Sequence, residues 1–222
     1  MAKSYKSKII AFEGFPGSNK TRLVKHVEAS LLKKGYSVFS TDCAHLLSDL
    51  YATFPNHSTL RKIPIDMIYI FLFNKFILNQ VYKEYDYILL ENYYFFFHAK
   101  LNLIDSSEES SKYLESLIKP PNTTVFLDKP IVECLNNLRK KRSINFWETD
   151  LCNTNTESDL ANNLRKYYRG DIETEIISNE FINYQQEIKK QYEKFADSNN
   201  VICVNDFEND VESVIKTVLS GF

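Results

Sequence analysis

The chain has 222 residues, a length that suits one α/β domain rather than two independent ones. Lysine plus arginine (27) nearly balances aspartate plus glutamate (29), for a net charge of −2, so charge alone gives no case for a nucleic-acid or membrane partner. A hydrophobic fraction of 44% is ample for a core.

The first predicted element is a short β-type run over Ile9, Ile10, Ala11 and Phe12, ending at Glu13. The opening Met-Ala-Lys-Ser-Tyr-Lys and this apolar run are too short for a secretion signal or a membrane span, which points to a soluble, cytoplasmic protein. Next come Gly14, Phe15, Pro16, Gly17, Ser18, Asn19, Lys20 and Thr21. That is the phosphate-binding loop pattern (Gly, four residues, Gly-Lys-Ser/Thr) with asparagine in place of its second glycine. A strand ending in such a turn aims backbone N–H groups inward, and the following helix adds its positive end. Lys20 would reach the terminal phosphates and the Thr21 hydroxyl would ligate magnesium, with Gly14, Gly17, Ser18, Asn19 and Arg22 around the phosphates. Position 19 calls for a conformation open to glycine, and asparagine is among the few other residues that enter the left-handed region readily. An ordinary strand-turn-helix is the plain alternative.

Residues 20–34 place Leu23, Val27 and Leu31 on one helical face, with Gly35 as a stop. Tyr36–Ser40 reads as a second strand, and a short helix is expected near Ala44–Tyr51. Ile65–Tyr82 is apolar almost all round and reads as a long helix buried on two sides, in part against a second copy in a possible homodimer. Asp86–Leu90 is a continuous apolar run of the kind parallel sheets bury. It leads into Glu91-Asn92-Tyr93-Tyr94 and three phenylalanines. Ser106–Ile118 reads as a helix, Thr123–Leu127 as a strand, and Pro130–Lys141 as a helix ending in the basic run Arg139 to Arg142. The polar stretch Ser143–Gly170 has the composition of a mobile segment, and a lid is expected over residues 139–170. A helix over Phe181–Ala196, a strand over Asn200–Val204 and a closing helix over Val211–Leu219 complete the chain. Alternating strands and helices predict a P-loop NTPase-type three-layer fold: a five-stranded parallel sheet with helices on both faces. Ligands in such sheets sit at the carboxyl ends of the strands, which groups the loop at 13–21, Glu91–Tyr94 and the stretch after Asp128.

Cys43, Cys134, Cys152 and Cys203 form no CxxC pair and read as thiols of a reducing compartment. The four histidines lack metal-ligand spacing.

In order, FEG-xx-GS-x-KT, FLFNK at 71–75, ENYY at 91–94, LDKP at 127–130 and NFWE at 145–148 resemble the thymidylate kinase group of P-loop nucleotide kinases, with deoxynucleoside kinases close behind. The resemblance runs through nearly the whole chain. It implies transfer of the ATP γ-phosphoryl group, with Mg²⁺, to a nucleotide (dTMP to dTDP) or to a deoxynucleoside. By this resemblance Lys20 and Thr21 match the phosphate lysine and the magnesium hydroxyl. Glu13 matches a general base for a nucleoside hydroxyl, and Glu91 an acid near metal and acceptor. Arg139 and Arg142 match cationic lid residues. Phe71, Lys75 (where an arginine is usual), Asn92 and Tyr93 fall at acceptor positions. Three departures stand out: Asn19 for glycine, Pro16 for a sugar-binding aspartate, and Asn92 for an arginine that grips phosphate. Since phosphoryl transfer depends on positioning and charge stabilisation, these changes motivate a third reading, a nucleotide-binding protein without catalysis.

Several residues carry a structural reading beside the functional one. Glu13 and Glu91 could be strand-end carboxylates bonded to backbone amides, and the Arg139–Arg142 cluster a set of cations favouring a helix C-terminus. Arg165 and Arg169 could be a second lid pair or a solvated helix face. The aromatics Phe71, Phe73, Tyr93, Tyr94, Phe95 and Phe96 are core by default, with Phe71 and Tyr93 the candidates for stacking a base. Trp147 fits either a lid anchor or a packed hydrophobe.

Overall fold

A computed structural model describes residues 7–43, 65–104, 108–141, 144, 148, 174–196, 200–205 and 207–220. Five strands form one all-parallel sheet: β1 (Lys8–Gly14), β2 (Val38–Asp42), β3 (Tyr87–Glu91), β4 (Thr123–Leu127) and β5 (Val201–Val204), in the order β2-β3-β1-β4-β5. The central position of β1 follows from its sequence. Its run IIAFE is buried on both faces, and it pairs with β3 (Ile10 with Leu89) and β4 (Ile10 with Thr123).

Period-two alternation along β1 sends its side chains into two different cores. Ile10 and Phe12 pack with Leu23, Val27 and Leu31 of helix α1 (Lys20–Lys33) and with Val214 and Val218 of helix α7 (Phe207–Ser220). Ile9 and Ala11 face the opposite layer. There they meet Ile70, Phe73 and Leu78 of helix α2 (65–81), and Phe97 and Leu101 of helix α3 (Tyr94–Ile104). Helix α2 runs as Ile65–Leu72, a π-helical stretch Phe73–Leu78 and a last turn Asn79–Val81. Helices α4 (Glu108–Leu117), α5 (Ile131–Arg139) and α6 (Thr174–Ala196) complete the described residues. On the α3 side, Tyr184, Ile188 and Tyr192 of α6 pack with Phe95, Phe126 and Phe15. The result is the expected three-layer α/β arrangement, consistent with a P-loop NTPase-like fold. No helix among the described residues is long and apolar enough to cross a membrane.

Three expectations change. Within this chain, α2 is not buried on two sides: Phe71, Leu72, Phe76 and Ile77 are exposed, while Phe73, Asn74 and Leu78 are buried. The aromatic run from Tyr94 is helical, and its side chains divide between two cores, Phe97 in one and Phe95 in the other, so it shows no single apolar face in the sequence. Helix α6 starts at Thr174, earlier than its apolar spacing from Phe181 indicates. The expected helix at Ala44–Tyr51, Trp147, Arg142, the Arg165–Arg169 pair and nearly all of the 139–170 lid lie outside the described residues.

Candidate functional site

The loop from Gly14 to Thr21 leaves the carboxyl end of the central strand and enters α1 directly. Its backbone is tied down from several sides. Gly17 has φ +86°, and a Cβ there would lie 2.0 Å from the Cys134 carbonyl oxygen, so the loop backbone presses against α5 where only glycine fits. Phe15 is fully buried, stacked on Tyr192 at 5.9 Å and edge-on to Phe126 at 6.2 Å. Asn19 is the N-cap of α1 in the left-handed conformation (φ 73°, ψ 24°) and makes no side-chain cap. The conformation expected where the motif has glycine is therefore present, carried by asparagine. The Asn19 side-chain oxygen instead accepts a hydrogen bond from Lys141 Nζ at 3.2 Å.

Lys20 is buried and folds back over the loop, donating to the carbonyls of Gly14 (2.7 Å) and Phe15 (3.0 Å). Thr21 Oγ1 donates to Glu91 Oε2 at 2.8 Å, joining the helix start to the end of β3. Glu91 protonates above the usual carboxylate range, because burial and then the neighbouring Asp42 oppose its charge; the Thr21 hydrogen bond and Lys20 offset part of this. Asn92 takes a positive φ of 52° and donates from Nδ2 to Asp42 Oδ1 at 2.9 Å.

These groups open on one cavity of about 520 Å³, within the range of small-molecule sites. Its walls include Gly14, Gly17, Ser18, Asn19, Lys20, Thr21 and Arg22 from the loop and helix start. They also include Asp42, Glu91 and Asn92 from the strand ends, Phe96 and Lys100 from α3, Lys141 beyond α5, and Glu148, Tyr184 and Gln185.

Several residues named from sequence are placed elsewhere. Glu13 is fully buried and does not line the cavity. Its Oε1 accepts the backbone N–H groups of Tyr93 (3.0 Å), Tyr94 (2.6 Å) and Phe95 (3.1 Å), so it caps the start of α3. Burial raises its pKa to about 7, against the opposing pull of Lys20 and those amides. The strand-end reading of Glu13 describes this geometry, since a base must reach the acceptor. Tyr93 is also fully buried, its hydroxyl 2.8 Å from Asn74 Oδ1 and 2.9 Å from the Lys119 carbonyl, so its ring is core rather than a stacking platform. Phe71 and Lys75 are on the exposed side of α2 and do not line the cavity. Arg139 donates to Ser178 on α6 and does not line the cavity either. At about 100° per residue, the helical turn that brings Leu138 and Lys141 to the wall carries Arg139 off it.

Sequence reading assigns no site role to Asp42, Lys141, Lys100 or Gln185, and its core reading of Phe96 leaves out that this ring also lines the cavity. Asp42 was within reach: extending the second strand by two residues puts it at a carboxyl end. The four-residue spacing of Phe96 and Lys100 puts both on one face of a helix, but only once a helix is drawn there.

The donor set at Thr21, Glu91 and Asp42 is all oxygen, the chemistry magnesium prefers. That ion is commonly held by one or two carboxylates together with water and substrate phosphates. Among the described residues no group of three or more His, Cys, Asp or Glu is placed to hold a metal on its own. Magnesium would therefore fit here as a partner of phosphate oxygens.

Comparison with known proteins adds no family: no protein-family model matches the chain, and neither does any curated protein.

Proposed function

We propose that this chain is a P-loop nucleotide kinase that transfers the γ-phosphoryl group of ATP to a nucleoside monophosphate, with dTMP the first candidate acceptor. The observation that carries the reading is the loop itself: Lys20, Thr21 and Glu91 converge on one cavity at the carboxyl end of the central strand. In this account the loop amides and the positive end of α1 hold the donor phosphates, and Lys20 exchanges its loop carbonyls for phosphate oxygens. Thr21 and Glu91, with Asp42 nearby, would hold Mg²⁺, which when bound supplies charge neutralisation between the phosphates. Lys141, bonded to Asn19 at the loop, is a cation on the cavity wall that takes the place expected of Arg139.

A monophosphate acceptor suits these residues better than a nucleoside. Its attacking oxygen is already ionised, and Glu13 is enclosed behind the α3 amides. With a nucleoside acceptor, Glu91 would have to take the hydroxyl proton while also serving the metal.

A second reading, nucleotide binding without transfer, is favoured by Asn92. At a position that carries an arginine in the family resembled, its amide is bonded to Asp42. Thermal unfolding with Mg-ATP tests what the two readings share. Ligand at a hundred times its Kd should stabilise the fold by about 2.7 kcal/mol. Lys20→Met should remove most of that gain; an identical shift in native and variant proteins would refute binding at this loop.

A further inference from the structure

We propose that Asn19 is a positioning residue: the side chain that stands where the motif has glycine holds Lys141 against the loop, so that its amino group is in place when nucleotide phosphate arrives. The inference rests on the nucleotide-binding reading above and adds to it a part that glycine could not supply. Helix α5 and the turn beyond it touch the loop at three points. The Cys134 carbonyl oxygen faces Gly17, where an added Cβ would lie 2.0 Å from it. Asn137 Nδ2 donates to the Gly17 carbonyl at 3.4 Å. One turn further on, Lys141 Nζ donates to Asn19 Oδ1 at 3.2 Å. Residues 134, 137 and 141 follow one another three and four apart, the spacing of one helical face. The first two contacts are made to the backbone of Gly17; the third alone needs a side chain from the loop.

Asn19 and Lys141 both line the cavity. Lys141 is exposed, and an exposed lysine samples many rotamers, so fixing it on a ligand loses entropy. A bond to Asn19 restricts it beforehand, which lowers the cost of the contact with phosphate. The ammonium has three N–H donors, so one can stay on Asn19 while the others meet phosphate oxygens. Asparagine suits position 19 on two counts. It enters the left-handed region that the backbone takes there (φ 73°), and its side-chain oxygen is a neutral acceptor. Aspartate would meet the first requirement but set a negative charge against the phosphates, and glycine would offer no acceptor.

Mg-ATP affinity of the native protein, Asn19→Gly, Lys141→Met, Lys141→Arg and the combined Asn19→Gly, Lys141→Met variant is the test, with Lys20→Met as the control for the loop. Restoring the motif's glycine should weaken Mg-ATP binding about threefold to fivefold, the size of an exposed charged contact, although glycine fits the backbone freely. Lys141→Met should weaken it at least as much, and Lys141→Arg should keep most of the affinity. In the methionine background the glycine change should alter affinity by less than about twofold, because the two residues act as one unit. If circular dichroism shows that the glycine variant does not fold, Asn19→Ala, which also lacks the acceptor, replaces it. Unchanged or tighter binding by Asn19→Gly, native affinity in Lys141→Met, or the same loss from the glycine change with and without Lys141 would overturn the inference, while binding that depends on Lys20 leaves the nucleotide reading standing. Native protein that binds no Mg-ATP, or binds it equally well as Lys20→Met, would instead overturn that reading itself.

Discussion

At the scale of single residues, the loop shows which of its motif positions are conformational and which are chemical. Gly17 is conformational: a side chain at φ +86° would drive Cβ into the Cys134 carbonyl oxygen at 2.0 Å. Gly17→Ala should cost about 2–4 kcal/mol, seen as a lower urea midpoint, and should reduce ATP-induced stabilisation because the loop amides move with it. Position 19 is conformational in a milder way, since asparagine already occupies the left-handed region there. Asn19→Ala should therefore lose about 1 kcal/mol, and Asn19→Gly should be tolerated. The loop and the need for a left-handed residue were legible because both depend on local spacing. The Asn19–Lys141 bond was not, since it joins residues 122 apart in the chain.

At the scale of elements, Glu13 shows how a buried charge can be spent on assembly. Its carboxylate leaves β1 and holds three successive amides at the start of α3, so the strand that carries the loop from Gly14 to Thr21 also fixes the helix that carries Phe96 and Lys100. Negative charge at a helix N-terminus is favourable, but complete burial outweighs that gain and the pKa rises to about 7 from 4.5. The sign follows from proton uptake. Between pH 4.5 and 7 the folded state holds this proton more tightly than the unfolded chain, so Glu13's contribution to stability is present below pH 4.5 and is lost as pH rises through 7. Across that window the native protein should lose about 3 kcal/mol relative to Glu13→Gln. Taking the difference from Glu13→Gln cancels the opposite trend from His98, whose pKa burial lowers to about 4. Denaturant midpoints of both proteins from pH 4 to 8 measure it, and parallel curves would show that Glu13 does not carry this proton. Sequence left Glu13 between base and backbone anchor, because the choice depends on α3. That helix was hidden in a run of aromatics whose side chains serve separate cores on either side of one helix: Phe97 joins one and Phe95 another.

For the whole molecule, sequence and structure agree on architecture and part company on which side chains line the cavity. Apolar runs of strand length alternating with amphipathic helices were enough to specify a five-stranded parallel sheet. Buried strands leave a strong local pattern, and the sheet order places β1 between β3 and β4. The wall of the cavity is drawn from the loop, the ends of β2 and β3, α3, α6 and the chain beyond α5. Which face of each helix turns inward depends on packing, which is why Phe71, Lys75, Tyr93 and Arg139 fell off the wall and Lys100 and Lys141 came onto it. In the proposed kinase the donor phosphates sit at the Lys20 and Thr21 end of this cavity. The most direct test of this account is transfer of labelled γ-phosphoryl from Mg-ATP to dTMP, with native protein compared against Lys20→Met. Native protein should form labelled dTDP, and the variant should form it at least a hundredfold more slowly, about 2.7 kcal/mol of lost transition-state stabilisation. Absence of labelled product with dTMP and every other nucleoside monophosphate, from native protein that binds Mg-ATP, would contradict it.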